Sequence, residues 1–144
     1  MNQTEIEMLS VERLSARWQV APRTIRRLVD DGLLRQVRLG GRIGYFWPDV
    51  WACEGGQAPE GEAEAYRAPL LTPEQVAARC PFAMSTLKSY AAAGRIPHRR
   101  IGAQTRFVPM EFDRWLLSWR VGDRSKNDSG GQNGGIGKNK LNGP

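Results

Sequence analysis

Two cysteines, Cys53 and Cys80, and one histidine, His98, are all the sequence offers to a metal, a disulfide framework or a thiol-based reaction. So small a ligand set excludes a zinc site and a disulfide scaffold. A small hydrophobe is the role expected of Cys80. No apolar run approaches the roughly 20 residues that span a bilayer, and the polar start Met1–Glu7 does not read as a signal peptide. Clustered carboxylates and a base-activated nucleophile are missing too, so catalysis has no support and no cofactor is implied. Gly40-Gly41 with Gly44 falls between two short strand-like runs, which makes it a hairpin tip rather than a nucleotide loop. The expectation is a non-enzymatic protein of the cytoplasm.

What the chain does contain, it contains twice. Shifted by 62 residues, 9–53 overlies 71–115 without a gap. Leu9 falls on Leu71, Glu12 on Glu74, Arg17 on Arg79, Thr24 on Thr86, Gly32 on Gly94, Arg38 on Arg100 and Gly40 on Gly102. Apolar positions coincide as well, with Leu14 on Val76, Ile25 on Leu87, Leu34 on Ile96 and Val50 on Phe112. A fixed period with matched apolar positions means one small fold used twice. Units this small have thin cores, and five tryptophans are expected to anchor them.

Each copy reads as the same series of elements. Ser10 caps a helix to about Trp18, and Thr72-Pro73-Glu74-Gln75 is a capping box for its counterpart. After a turn of about three residues a second helix covers Pro22–Asp31 or Met84–Ala93, stopped by Gly32 or Gly94. Two helices so joined are a helix-turn-helix. Strand-like runs Gln36–Leu39 and Tyr45–Trp47, matched by His98–Ile101 and Thr105–Val108, form a hairpin wing. A last helix starts near Pro48 or Met110. The expected architecture is mainly α with small β-hairpin wings, as two tandem winged helix-turn-helix domains. Domain 1 is 1–53, a flexible acidic linker is 54–69, domain 2 is 70–121, and 122–144 is a disordered tail. A flexible linker of that length has a typical span of about 20–25 Å.

The net charge of +6 is unevenly placed. Residues 1–53 carry +2, 54–69 carry −3, 70–121 carry +5 and the tail +2. A basic excess on the repeats suits a polyanionic partner. With Ile25, Leu28 and Val29 facing inward, Arg23, Thr24, Arg26 and Arg27 face outward on the second helix, and arginine pairs well with guanine and with phosphate. Arg38 leads into the wing and Arg42 sits at its glycine-rich tip, where a long cation reaches a narrow minor groove. In the second copy the helix exposes Ser85, Thr86, Lys88 and Ser89, a weaker base-reading surface. Its cations shift to the wing at His98, Arg99, Arg100 and Arg106, beside Gln104, which favours backbone contact. Use of this second face for protein contacts is the competing reading. Ala21 and Ala83 stand where a capping side chain is usual, leaving an amide for a phosphate.

The order helix-turn-helix, glycine, basic strand, wing and short helix resembles the excisionase/MerR-type winged helix-turn-helix family. Leu9-Ser-Val-Glu-Arg-Leu, Pro22-Arg-Thr-Ile-Arg-Arg-Leu and Val37-Arg-Leu-Gly-Gly-Arg are the stretches that carry the likeness, and both copies match over their length. The resemblance implies double-stranded DNA as partner, with the second helix in the major groove and the wing on backbone or minor groove. It also implies a mobile-element excisionase that bends DNA for a site-specific recombinase, or a transcription regulator acting with RNA polymerase. The absence of a dimerisation coiled coil after the second copy points away from a drug- or metal-sensing regulator. Two linked modules would bind adjacent half-sites, with cooperative self-association on DNA as a further expectation. The alternative is an antiactivator that uses these surfaces to block another regulator.

Overall fold

The computed structural model describes residues 7–121, so the tail expected to be disordered lies outside the described residues. Helices and two small antiparallel sheets make up the described chain. In chain order the elements are β1 (Met8–Leu9), α1 (Val11–Trp18), α2 (Pro22–Asp30), β2 (Val37–Leu39), β3 (Arg42–Phe46), α3 (Trp47–Glu54), α4 (Pro73–Ala77), α5 (Met84–Ala92), β4 (Arg99–Ile101), β5 (Gln104–Arg106) and α6 (Pro109–Leu117).

Local chemistry explains the boundaries. Ser10 Oγ accepts the Arg13 amide at 3.1 Å and opens α1, satisfying one of the donors a helix start leaves over. Gln19, in the left-handed region at φ 54°, ends it. Pro22 begins α2 without a side-chain cap. In α4 the capping box is complete, with Thr72 Oγ1 and Gln75 Oε1 each accepting the other residue's amide at 3.2 and 2.9 Å. That helix is shorter than α1, because Cys80 precedes Pro81 and a residue before proline avoids the helical region.

Strands lie at matching positions in the two copies. β1 pairs with β3 through Met8↔Phe46 and Leu9↔Tyr45. At a spacing of 62 residues, Leu71 bridges Phe107, with backbone hydrogen bonds of 2.8 and 2.9 Å. The β2–β3 hairpin pairs Arg38 with Ile43 and Leu39 with Arg42 around Gly40-Gly41. Both glycines have positive φ, 52° and 84°, as a two-residue hairpin turn matched to strand twist demands. Arg42, expected at the tip, therefore opens β3 opposite Leu39. The β4–β5 hairpin pairs Arg99 with Arg106, Arg100 with Thr105 and Ile101 with Gln104.

The connector 54–69 is not a flexible linker. Glu54 is the last residue of α3, and its buried carboxylate accepts Arg17 Nε and Nη2 at 2.8 and 2.9 Å and Trp18 Nε1 at 2.6 Å. Arg17 Nη1 reaches on to the Ala68 carbonyl at 2.7 Å. Tyr66 lies in a single 3-10 turn, Ala65–Arg67, with only 2% of its surface exposed. Its carbonyl accepts Trp51 Nε1 and its hydroxyl donates to Glu111 Oε2 at 2.7 Å. Two acids and a tyrosine that look solvent-facing in sequence each find a buried partner on another element.

The two copies consequently share a core. Ile101 and Val108 of the second copy lie in one apolar cluster with Trp18, Leu28, Trp51 and Tyr66. A smaller cluster around Val76, Leu87, Ile96 and Phe112 fills the second copy alone, extended by aromatic contacts from Phe107 to Phe112 and on to Trp115.

Candidate nucleic-acid interface

Two clefts open at equivalent positions, each between a second helix and the hairpin that follows it. The first, of about 570 Å³, is lined by Arg26 from α2, by Arg38, Gly41, Arg42 and Ile43 from the β2–β3 hairpin, and by Glu12 from α1. The second, of about 370 Å³, is lined by Lys88 from α5, by Arg100, Ala103, Gln104 and Thr105 from the β4–β5 hairpin, and by Glu74 from α4. A shift of 62 residues carries each of those first-cleft residues onto its second-cleft counterpart. In both, a helix cation faces a strand cation across a gap open to solvent.

Burial pushes the Tyr45 phenol pKa up, while the Arg26 guanidinium pulls it back down. Glu12, Asp30 and Glu74 also line the clefts. Glu12 and Glu74 coincide in the repeat. They leave the cations to define where an anion sits.

Arg23 and Arg27 are exposed on α2 outside the cleft, and Thr24 is half-buried beside them. Ser85 and Ser89 are exposed on α5, with Thr86 half-buried. Arg100 reaches Thr105 Oγ1 at 3.4 Å and is otherwise open to solvent. His98 is half-buried, its Nδ1 lying 3.1 Å from the Ile96 carbonyl oxygen.

Arg99 and Arg106 are placed otherwise than expected. Each is only 7% exposed: Arg106 faces the first copy and Arg99 the connector, and neither faces solvent. Arg106 donates from Nε to the Trp18 carbonyl at 2.8 Å and from Nη2 to the Gln19 carbonyl at 2.9 Å. Arg99 donates to the Gly56 carbonyl at 2.8 Å, pairs with Glu111 at 3.5 Å and lies over the Tyr66 ring. The signal was available in the repeat. Their counterparts are Val37 and Gly44, whereas those of the outward Arg100 is Arg38. Strand parity agrees, because Arg99 shares a face with the buried Ile101. Burial draws the Arg106 pKa down, against an upward push from Glu74.

With this geometry in view, residues 70–120 match the family model of a helix-turn-helix domain. The segment holds α4, α5, the β4–β5 hairpin and α6. The match covers the second copy and supports a DNA-binding helix-turn-helix there. Neither a curated protein nor a solved structure matches the chain. Among the described residues no helix is long and apolar enough to cross a membrane.

Proposed function

We propose that this protein binds double-stranded DNA with both copies, as two tandem winged helix-turn-helix units held in one body, and that it acts in the cytoplasm without catalysis. The observation that carries the reading is the positional identity of the two clefts, Arg26 with Arg38 in one and Lys88 with Arg100 in the other. A surface charge placed by chance has no reason to recur between the same two elements. On this reading Arg23, Arg26 and Arg27 contact bases from α2 in the major groove, while Arg38, Arg42, Lys88 and Arg100 hold backbone. The excisionase-like role, bending DNA for a recombinase, fits the shared core better than a simple operator-binding regulator. Two clefts fixed at one separation impose their own geometry on a duplex, and the contacts of both repay the cost of bending it.

The test is selection of bound duplexes from a randomised pool, followed by a bending measurement on the selected sequence. A composite motif that tolerates no inserted base pairs, together with a bend, is the expected result. Absence of enrichment would overturn sequence-specific binding. One observation favours a protein partner instead: Leu117 and Trp119 at the end of α6 are exposed apolar side chains. Such a contact would persist between about 50 and 200 mM salt, where a phosphate-based one weakens by orders of magnitude.

A further inference from the structure

The hairpin of the second copy touches the first copy where α2 begins and again where it ends. At the start, Arg106 bonds the carbonyls of Trp18 and Gln19. These are the last residue of α1 and the left-handed residue that turns the chain toward α2. The Gln19 side chain is held from the same side, donating to the Leu70 carbonyl and to Gln75 Oε1, both at 2.7 Å. At the other end, a Cβ built on Gly102 at the hairpin turn would lie 3.8 Å from Leu28 Cδ2. The opposite face of this hairpin presents Arg100 and Thr105 to the second cleft, which Arg106 also lines.

We propose that Arg106 is a positioning residue for DNA reading: it fixes the turn between α1 and α2, so that the base preference of the first copy depends on the hairpin of the second. The inference rests on α2 being the base-reading helix. The chain turns between the two helices over three residues, Gln19–Ala21, where Ser15 Oγ donates to the Val20 carbonyl and Ala21 offers no side-chain cap. Carbonyls at a helix C-terminus carry unsatisfied partial negative charge. A guanidinium is a planar fork that bonds two neighbouring carbonyls at once, whereas an ammonium is a point charge that holds one geometry less firmly. Freed of the fork, α2 keeps its cations but loses the register that aims them.

The experiment uses the full chain as wild type, Arg106→Gln and Arg106→Lys. Each is competed between the selected duplex and a shuffled one, with thermal unfolding measured alongside. Both variants are expected to melt lower than wild type and to bind the shuffled duplex at low salt as wild type does. The preference for the selected duplex is expected to fall about tenfold in Arg106→Gln, the scale of one misdirected bidentate base contact, with Arg106→Lys intermediate. A wild-type preference retained in both variants would make Arg106 a purely structural residue and overturn the inference alone. Arg106→Lys keeps the charge, so it carries the test if Arg106→Gln does not fold. A wild type without any preferred duplex would overturn the reading of α2 itself.

Discussion

Glu54 shows how much can depend on one side chain: its carboxylate neutralises Arg17, accepts a hydrogen bond from Trp18 and ties the end of α3 to the end of α1. Removing it leaves a buried guanidinium uncompensated. Glu54→Ala is expected to cost about 3–5 kcal/mol of stability, read as a lower urea midpoint. Tyr66 gives a pH signature. Burial first, and then its hydrogen bond to Glu111, push its pKa up to about 12 from an ordinary 10.0. Between those values the unfolded phenol has lost its proton and the folded one has not, so stability present below pH 10 falls as pH rises toward 12. Cys53, raised to about 11 by burial, acts in the same sense. Tyr66→Phe should flatten the alkaline fall in unfolding free energy. The interface makes a sharper contrast. Arg38→Ala and Arg100→Ala are each expected to reduce the salt slope of DNA binding by about 0.9 with little change in melting temperature. Arg99→Ala, which lacks a solvent-facing guanidinium, should lower the melting temperature and leave the slope alone. Telling Arg99 from Arg100 in sequence required comparing each with its own counterpart, because residue type alone makes them equivalent.

Among the elements, the most legible were those whose signal is local. Capping residues, the proline at the start of α2 and the glycines after α2 and α5 mark helix ends through bonds within a few residues. Leu9 and Leu71 behave differently, since each pairs with a strand more than thirty residues away and nothing nearby announces it. The β2–β3 hairpin lay between. Its glycines were visible, but that Gly40-Gly41 alone make the turn, leaving Gly44 inside β3, depends on register. A Cβ at position 44 would meet the end of the Met8 side chain at 2.9 Å, a clash that a turn of the flexible methionine relieves. Gly41→Ala should strain the hairpin at φ 84° and cost about 1 kcal/mol, with weaker DNA binding than the loss of stability explains. At the other site element, Ala21→Ser should add the missing cap of α2 and stabilise the chain by about 1 kcal/mol. Ala21→Asp should stabilise similarly yet weaken DNA binding, because its charge faces the incoming phosphate. Paired melting and binding curves separate the two effects.

For the molecule as a whole, the shared core replaces a picture of two beads on a string. Composition misled there: residues 54–69 are acidic and glycine-rich, and only Tyr66 hinted at burial. Because Ile101 and Val108 of the second copy lie in the core of the first and Arg106 bonds the carbonyls of Trp18 and Gln19, the copies should unfold together. Tryptophan fluorescence, from residues of both copies, and helicity are expected to give coincident urea transitions. A second, separable transition would show that the copies are independently stable.

The contact between the copies is also one-sided. The second hairpin docks on the helices of the first, and Ile101 is wholly buried there, while its counterpart Leu39 remains 58% exposed. An interface in which different surfaces meet has no two-fold axis. The molecule therefore has a head and a tail. A single molecule bound to DNA would point along it, choosing an asymmetric sequence and distinguishing upstream from downstream, which no two-fold symmetric dimer can do.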